Sequence, residues 1–251
     1  YNNAVKDLLQ LNVEVFTLPE RMMREYRNYY QPATGKMPDS VRVGSRPLGK
    51  SQLIEPRLGG VGAYPQDLRA EHGYDTQADH LTMSPLLLES FMQLGMSIVD
   101  SPDFHEATVG VWQELFAAPP DVNTSALEEL IQNRLQHFLT RAFRTTIDKA
   151  TLQRYVAFGM GQLERDGNFV EAMKSVVAAT IASPQFFYLG QHVNRADKRV
   201  KTRFSDDDFT LASNLSFFLW GSIPDGELLN LAAAGELHRQ EVFSTQVNRM
   251  L

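Results

Sequence analysis

Apolar residues recur three and four positions apart through most of this 251-residue chain. This spacing lines one face of an α-helix, whereas a half-buried strand alternates apolar and polar residues. The longest stripe, between Ser125 and Phe143, comprises Leu127, Leu130, Ile131, Leu135, Phe138 and Leu139. No hairpin pattern and no fixed-period repeat accompanies it. The sequence therefore predicts an all-α fold of serial small helical bundles.

Start signals divide the helical pattern. Ser125 with Glu128 three residues later matches a capping box, and so does Ser205 with Asp208. Asp148 is the predicted cap of the helix between these two. Serine followed by proline, with serine as cap and proline at the first helical position, predicts further helix starts at Ser84-Pro85 and Ser101-Pro102.

Glycine and proline are dense from about residue 31 to 73, which excludes long regular elements there. A loop of this length inside a domain is commonly functional or mobile.

We predict three modules. Residues 1–118 form an N-terminal helical module with this loop inserted, residues 121–192 form a three-helix module, and residues 203–251 begin a third module. The chain begins without methionine and stops inside an amphipathic run, so we expect it to be a piece of a longer protein with the third module truncated.

Composition excludes several classes of function. A net charge of −6 disfavours binding to a phosphate backbone, so no nucleic-acid partner is expected. The chain has no cysteine, which excludes disulfides, thiolate zinc sites, thiol nucleophiles and haem attachment through C-x-x-C-H. The longest uncharged run, Ser175–Asn194, is interrupted by proline and polar residues, so no transmembrane segment is predicted.

One local group mixes imidazole and carboxylate side chains: His72, Asp75, Asp79 and His80. The favoured interpretation is a polar turn in which Asp75 and Asp79 accept hydrogen bonds from backbone amides before the next helix. The alternative is a site for a divalent metal or calcium, although the spacing is not that of an EF-hand loop. These four are weak metal candidates, and no catalytic or cofactor-binding residue is proposed.

Three other groups have a structural and a functional interpretation. Asp206, Asp207 and Asp208 could attract a cation, but helix capping explains them better. The methionines at helical spacing could line a haem edge, although such residues usually fill gaps in a core; they are Met83, Met92 and Met96. The aromatic steps Phe186-Phe187-Tyr188 and Phe217-Phe218 favour packing, with Phe218 expected to be buried.

Several segments resemble one family, in its order along the chain. They are Tyr1–Leu9 (YNNAVKDLL) and Leu81–Glu89 (LTMSPLLLE), then Arg141–Arg144 (RAFR) and Ile181–Phe186 (IASPQF), then Leu211–Trp220 (LASNLSFFLW) with Ile223–Asp225 (IPD). These resemble three consecutive modules of the planctomycete-type cytochrome-associated proteins, large bacterial proteins built from serial PSD-type domains of unknown function.

The resemblance implies an exported protein, periplasmic or at the cell surface, with haem c elsewhere in the parent chain and no cofactor in this one. It implies no reaction. We therefore expect a helical scaffold that contacts other domains of the same protein or a protein partner. The alternative is part of an oxidoreductase or hydrolase whose active site is completed by other segments, so enzyme status stays open with no enzyme favoured for this chain alone.

Overall fold

The computed structural model describes residues 1–15, 57–61, 85–119, 123–188 and 204–251. Within these ranges the chain forms ten α-helices and no strand, which confirms the all-α prediction. In chain order they are α1 Asn2–Leu9, α2 Pro85–Val99, α3 Trp112–Leu115, α4 Thr124–Phe143, α5 Lys149–Asp166, α6 Phe169–Ile181, α7 Pro184–Phe187, α8 Phe204–Leu219, α9 Gly226–Ala234 and α10 Gln240–Met250.

Helices α4, α5 and α6 pack consecutively through short, capped connections. Asp148 caps α5 as predicted, since its carboxylate accepts from the Thr151 amide at 2.9 Å. The predicted capping box at Ser125 is wrong: Asn123 caps α4 and accepts from the Ala126 amide at 2.9 Å, so Ser125 lies inside the first turn. Asparagine is as good a cap as serine, and α4 begins two residues earlier than predicted.

The apolar stripe of α4 forms much of the interior. Ile131, Leu135, Phe138 and Leu139 are buried, as predicted, whereas Leu127 is half-buried together with Leu130 in the first turns. Both leucines still pack against the main core. The register of the predicted helix is therefore confirmed at its centre.

Helix α2 packs against α6 at unusually short range. A Cβ atom on Gly95 would lie 2.8 Å from the carbonyl oxygen of Ala178, so only glycine permits this approach. Because α2 and α6 share one hydrophobic core, the first two predicted modules are continuous in their interior. The module bounds themselves stay a prediction.

The segment after α2 is less helical than Ser101-Pro102 predicts. Its helix is confined to α3, because the preceding backbone groups bond to the exit of α1. The Asn12 amide donates to the Thr108 carbonyl at 3.1 Å, and the Gly110 amide donates to the Gln10 carbonyl at 3.0 Å. Backbone groups that pair across the chain are not available for a helix.

A second, smaller core joins α8, α9 and α10. Its buried residues are Phe209, Ala212, Leu228, Leu229, Ala232, Leu237 and Met250. The prediction that Phe218 is buried is wrong, since 85% of its surface is exposed. Helix α8 buries Phe209, Ala212, Ser213 and Ser216, and Phe218 lies outside that buried face.

The methionine prediction is also wrong for α2: Met92 is 63% exposed and Met96 is 46% exposed. Helix α2 buries the face formed by Phe91, Leu94 and Ile98 instead. Met83 lies outside the described residues. No helix in the described part of the chain is long and apolar enough to cross a membrane.

Candidate functional site

The predicted weak metal site cannot be compared with the structure. His72, Asp75, Asp79 and His80 all lie outside the described residues, as does most of the loop at about 31–73. Among the residues that are described, no three histidine, aspartate or glutamate side chains are grouped to hold a metal ion. The cluster stays a prediction.

The most unusual charged group of the described chain is Arg144. It ends α4 in the left-handed conformation, with φ 55°, and is 3% exposed. Its Nη1 donates to the carbonyls of Ala142 at 3.0 Å and Phe186 at 2.9 Å. Its Nη2 donates to the carbonyls of Gln185 at 3.1 Å and Tyr188 at 3.0 Å. One guanidinium thus satisfies four backbone acceptors from two helix ends.

The electrostatics of this contact depend on carbonyl dipoles. Within the described residues Arg144 forms no ion pair with a carboxylate, and burial lowers its pKa to about 10. The side chain therefore still carries its charge at neutral pH. Because the last carbonyls of a helix carry partial negative charge, they stabilise a buried cation there. The guanidinium also lies 5.7 Å from the ring centre of Phe217 in α8. Arg144 therefore joins α4, α7 and α8.

Further contacts hold α8 to the main core at the same end. Ile223 is buried in that core, and Phe217 packs against it. The Asn3 side chain donates to the Gly221 carbonyl at 3.4 Å. The Tyr1 hydroxyl donates to the Ile181 carbonyl at 3.1 Å, close to α7. The two cores are consequently connected by apolar packing as well as by Arg144.

A second buried charge lies in the smaller core. The carboxylate of Asp208 is 1% exposed; its Oδ2 accepts from the amides of Leu237 at 2.8 Å and His238 at 3.4 Å. The His238 Nδ1 lies 3.2 Å from Oδ1 of the same carboxylate. Asp208 therefore binds the turn between α9 and α10, a contact that was not predicted, and the capping box with Ser205 stays a prediction because the Ser205 side chain lies outside the described set. The Asp206 and Asp207 side chains lie outside the described set.

An aspartate on Nδ1 of a histidine is an arrangement that can orient an imidazole for proton transfer. Here the same carboxylate also receives two backbone amides, which is the usual way to satisfy a buried anion. The Asp208 carboxylate can therefore orient the His238 imidazole. Its structural role is to bind the backbone of the turn before α10.

Sequence reasoning missed both buried charges. Arg144 falls in one segment of the family resemblance, Arg141–Arg144, and three of its four carbonyl partners fall in or beside another, Ile181–Phe186. Their pairing was not predicted, because an arginine that follows an amphipathic helix normally faces solvent. The useful signal was arginine directly after an apolar helix end, where helix carbonyls lack partners.

Comparison with known families matches two segments of the chain. Residues 131–190 match PSD5, a protein family of unknown function (DUF1595). Residues 207–251 match PSD4, also of unknown function (DUF1592). Comparison with curated proteins finds no significant match, and comparison with solved structures finds none. Arg144 with its carbonyl partners lies in the first segment, and Asp208 with His238 lies in the second.

Proposed function

Because the chain contains a PSD5-type and a PSD4-type segment, we propose that it is a helical scaffold. In this proposal it is an interaction module of a larger, exported, cytochrome-associated bacterial protein. The observation that supports this proposal is the set of contacts that Arg144 makes with three helices. This buried cation holds α4, α7 and α8 together, and so connects the PSD5-type segment to the PSD4-type segment.

The treatment of buried charge supports a scaffold over a catalyst. A group that acts on a substrate must keep part of its hydrogen-bonding capacity for it. Arg144 donates four hydrogen bonds to carbonyls, and Asp208 accepts from two backbone amides. These bonds stabilise the junctions between helices, which is what a rigid connector needs.

Exposed apolar side chains supply surface for contacts with other domains. Phe218 is 85% exposed, Leu86 71% and Met92 63%. Single exposed apolar residues are ordinary, but large ones on α2 and on α8 suit the docking of neighbouring domains. The partners in this proposal are other domains of the parent protein or a separate protein.

The proposals that the parent protein contains haem and is exported rest on the family resemblance. Haem c is held by thioether bonds to cysteine, and this chain has no cysteine, so its residues do not fit covalent haem. The haem belongs to another segment of the parent protein. A pyridine haemochrome spectrum of the intact parent, isolated from the periplasmic and outer fractions, checks both expectations; a haem-free protein in the cytoplasmic fraction contradicts them.

The scaffold function is tested by site-specific photo-crosslinking in the intact parent protein. A photoreactive phenylalanine analogue replaces Phe218 or Met92, and a control variant carries it at Glu164, an exposed polar position on α5. The proposal predicts cross-links from positions 218 and 92 to defined segments of another domain or partner, and none from 164. Equal yields at all three positions would contradict it.

The second candidate, part of an oxidoreductase or hydrolase, is favoured by the Asp208–His238 pair. The two accounts differ in the expected phenotype of His238→Ala. A structural pair predicts lower stability of the smaller core with unchanged turnover of any substrate of the parent protein. A catalytic pair predicts loss of turnover at unchanged stability, and that result would replace the scaffold interpretation.

A further inference from the structure

A cleft of about 370 Å³ opens between α3 and α4. Its floor is apolar: Val111 is 3% exposed, Leu115 3% and Phe138 7%. The volume falls in the range of small-molecule sites, which combine an apolar lining with a few polar groups that fix orientation.

Three basic or titratable side chains line this cleft from a single helix. Arg134, His137 and Arg141 follow one another at three and four positions along α4, so they lie on one face. Asn133 lies beside them, and Glu114 of α3 lines the cleft as its acidic group. The lining thus carries two guanidinium groups against one carboxylate.

Both arginines are positioned by backbone contacts that use only part of their hydrogen-bonding capacity. The Arg134 Nη1 donates to the carbonyls of Leu115 at 3.2 Å and Ala117 at 2.7 Å. The Arg141 Nη2 donates to the Asp7 carbonyl at 3.1 Å. A guanidinium has five N–H groups, and these bonds use one nitrogen of each. The anchored side chains are therefore oriented before any ligand arrives.

The charge balance within the cleft restricts the ligand. Burial lowers the pKa of Arg141, while the nearby Glu114 and Asp7 raise it, and a guanidinium stays charged at neutral pH. Burial also lowers the pKa of Arg134. Two cations attract one anionic group, but Glu114 in the lining and the nearby Asp7 repel a second negative charge. The apolar floor favours a ligand whose remaining atoms are hydrocarbon.

We propose that this cleft binds a small organic monocarboxylate with an apolar body. The carboxylate receives N–H groups from Arg134 and Arg141, in the forked geometry that guanidinium favours. The apolar body lies over Val111, Leu115 and Phe138, and His137 lies at the exposed edge. The site is separate from the Arg144 junction that carries the scaffold function.

Octanoate is a suitable probe, and the titration is followed by the imidazole resonances of the histidines in NMR, with His137 assigned from a His137→Gln variant. We expect a saturable shift of the His137 signals, with a dissociation constant on the order of 1 mM for a ligand of this size. Octan-1-ol has the same chain without the charge, and inorganic phosphate has charge without the chain. Each should bind at least roughly tenfold more weakly.

Two charge-removing variants locate the binding. Arg141→Gln should weaken octanoate binding roughly tenfold or more. Arg154→Gln removes the same charge from a different cleft, of about 460 Å³ beside Tyr155 and Phe158, and should leave binding unchanged. If Arg141→Gln does not fold, as judged by circular dichroism, the comparison of octanoate with octan-1-ol in the unaltered chain tests the proposal by itself.

Three results overturn the proposal. The first is no saturable shift of His137 up to about 20 mM octanoate, well above the expected dissociation constant. The second is equal affinity for octanoate and octan-1-ol, which removes the role of the arginines. The third is loss of binding in Arg154→Gln with retention in Arg141→Gln, which places the ligand in the other cleft.

Discussion

Replacing Arg144 with alanine should destabilise the chain more than any other single charge removal in the described residues. The variant loses four donated hydrogen bonds of 2.9–3.1 Å and leaves four carbonyls without that donor. Hydrogen bonds to a charged group contribute about 1.5–3 kcal/mol each, but they are not additive, and the buried guanidinium itself has a desolvation cost. We therefore expect a loss of about 3–5 kcal/mol in the free energy of unfolding.

Two further substitutions at the same position separate the side chain from the backbone. Arg144→Gly loses the guanidinium as well, but glycine adopts φ 55° without the cost of about 1–2 kcal/mol that other residues carry there. It should therefore be more stable than Arg144→Ala by about 1 kcal/mol. Arg144→Lys keeps the charge but lacks the planar fork, so its stability should lie between that of the wild type and that of Arg144→Ala.

Urea unfolding followed by circular dichroism measures all three variants. Hydrogen exchange adds a local readout, because the amides of α7 should lose protection before those of α5. Arg165→Ala is the control, since this arginine pairs with Asp166 at the surface and should leave stability unchanged. A loss below about 1 kcal/mol for Arg144→Ala would refute the reasoning, because the four carbonyls would then be satisfied without the guanidinium.

Three other predictions concern packing and capping. Leu135→Ala should cost about 2–5 kcal/mol in urea unfolding, since Leu135 is fully buried; a loss below about 1 kcal/mol places it at the surface. Gly95→Ala should destabilise by about 1–3 kcal/mol, because the new methyl group meets the Ala178 carbonyl. Gly161→Ala, in open space on α5, should stabilise by about 0.5–1 kcal/mol, and equal effects at both glycines contradict the close packing. Hydrogen bonds from Thr151 lower the pKa of Asp148 below its usual 3.8, so its contribution is complete above that pH and is lost as pH falls below it. The stability of the wild type relative to Asp148→Asn should therefore decrease as the pH is lowered below 3.8. Parallel profiles of stability against pH for the two proteins would contradict this.

The sequence was a good guide where local chemistry decides the structure. The α4 stripe around Leu135, the Asp148 cap and the all-α class follow from spacing and capping within a few residues. Local chemistry also bounds α9, where Asp225 caps the start and Gly235 ends the helix in the left-handed conformation.

Prediction failed where distant segments decide. Phe218 has helical spacing like its neighbours, but α8 buries the face that carries Phe209, Ala212 and Ser216. Ser101-Pro102 has a start signal, yet the backbone beyond it pairs with the exit of α1. Arg144 obtains its role from carbonyls about forty residues away along the chain, which no local pattern contains. Tertiary packing overrides local preference in each case.

We propose that the PSD5-type and PSD4-type segments form one rigid scaffold. The most direct test is a distance measurement between spin labels on Gln132→Cys in α4 and Glu241→Cys in α10, both exposed positions. The chain has no native cysteine, so only these two sites react. Double electron–electron resonance should give one narrow distance distribution, which broadens when Arg144→Ala is added. A broad or two-component distribution in the otherwise unaltered chain would contradict the scaffold account.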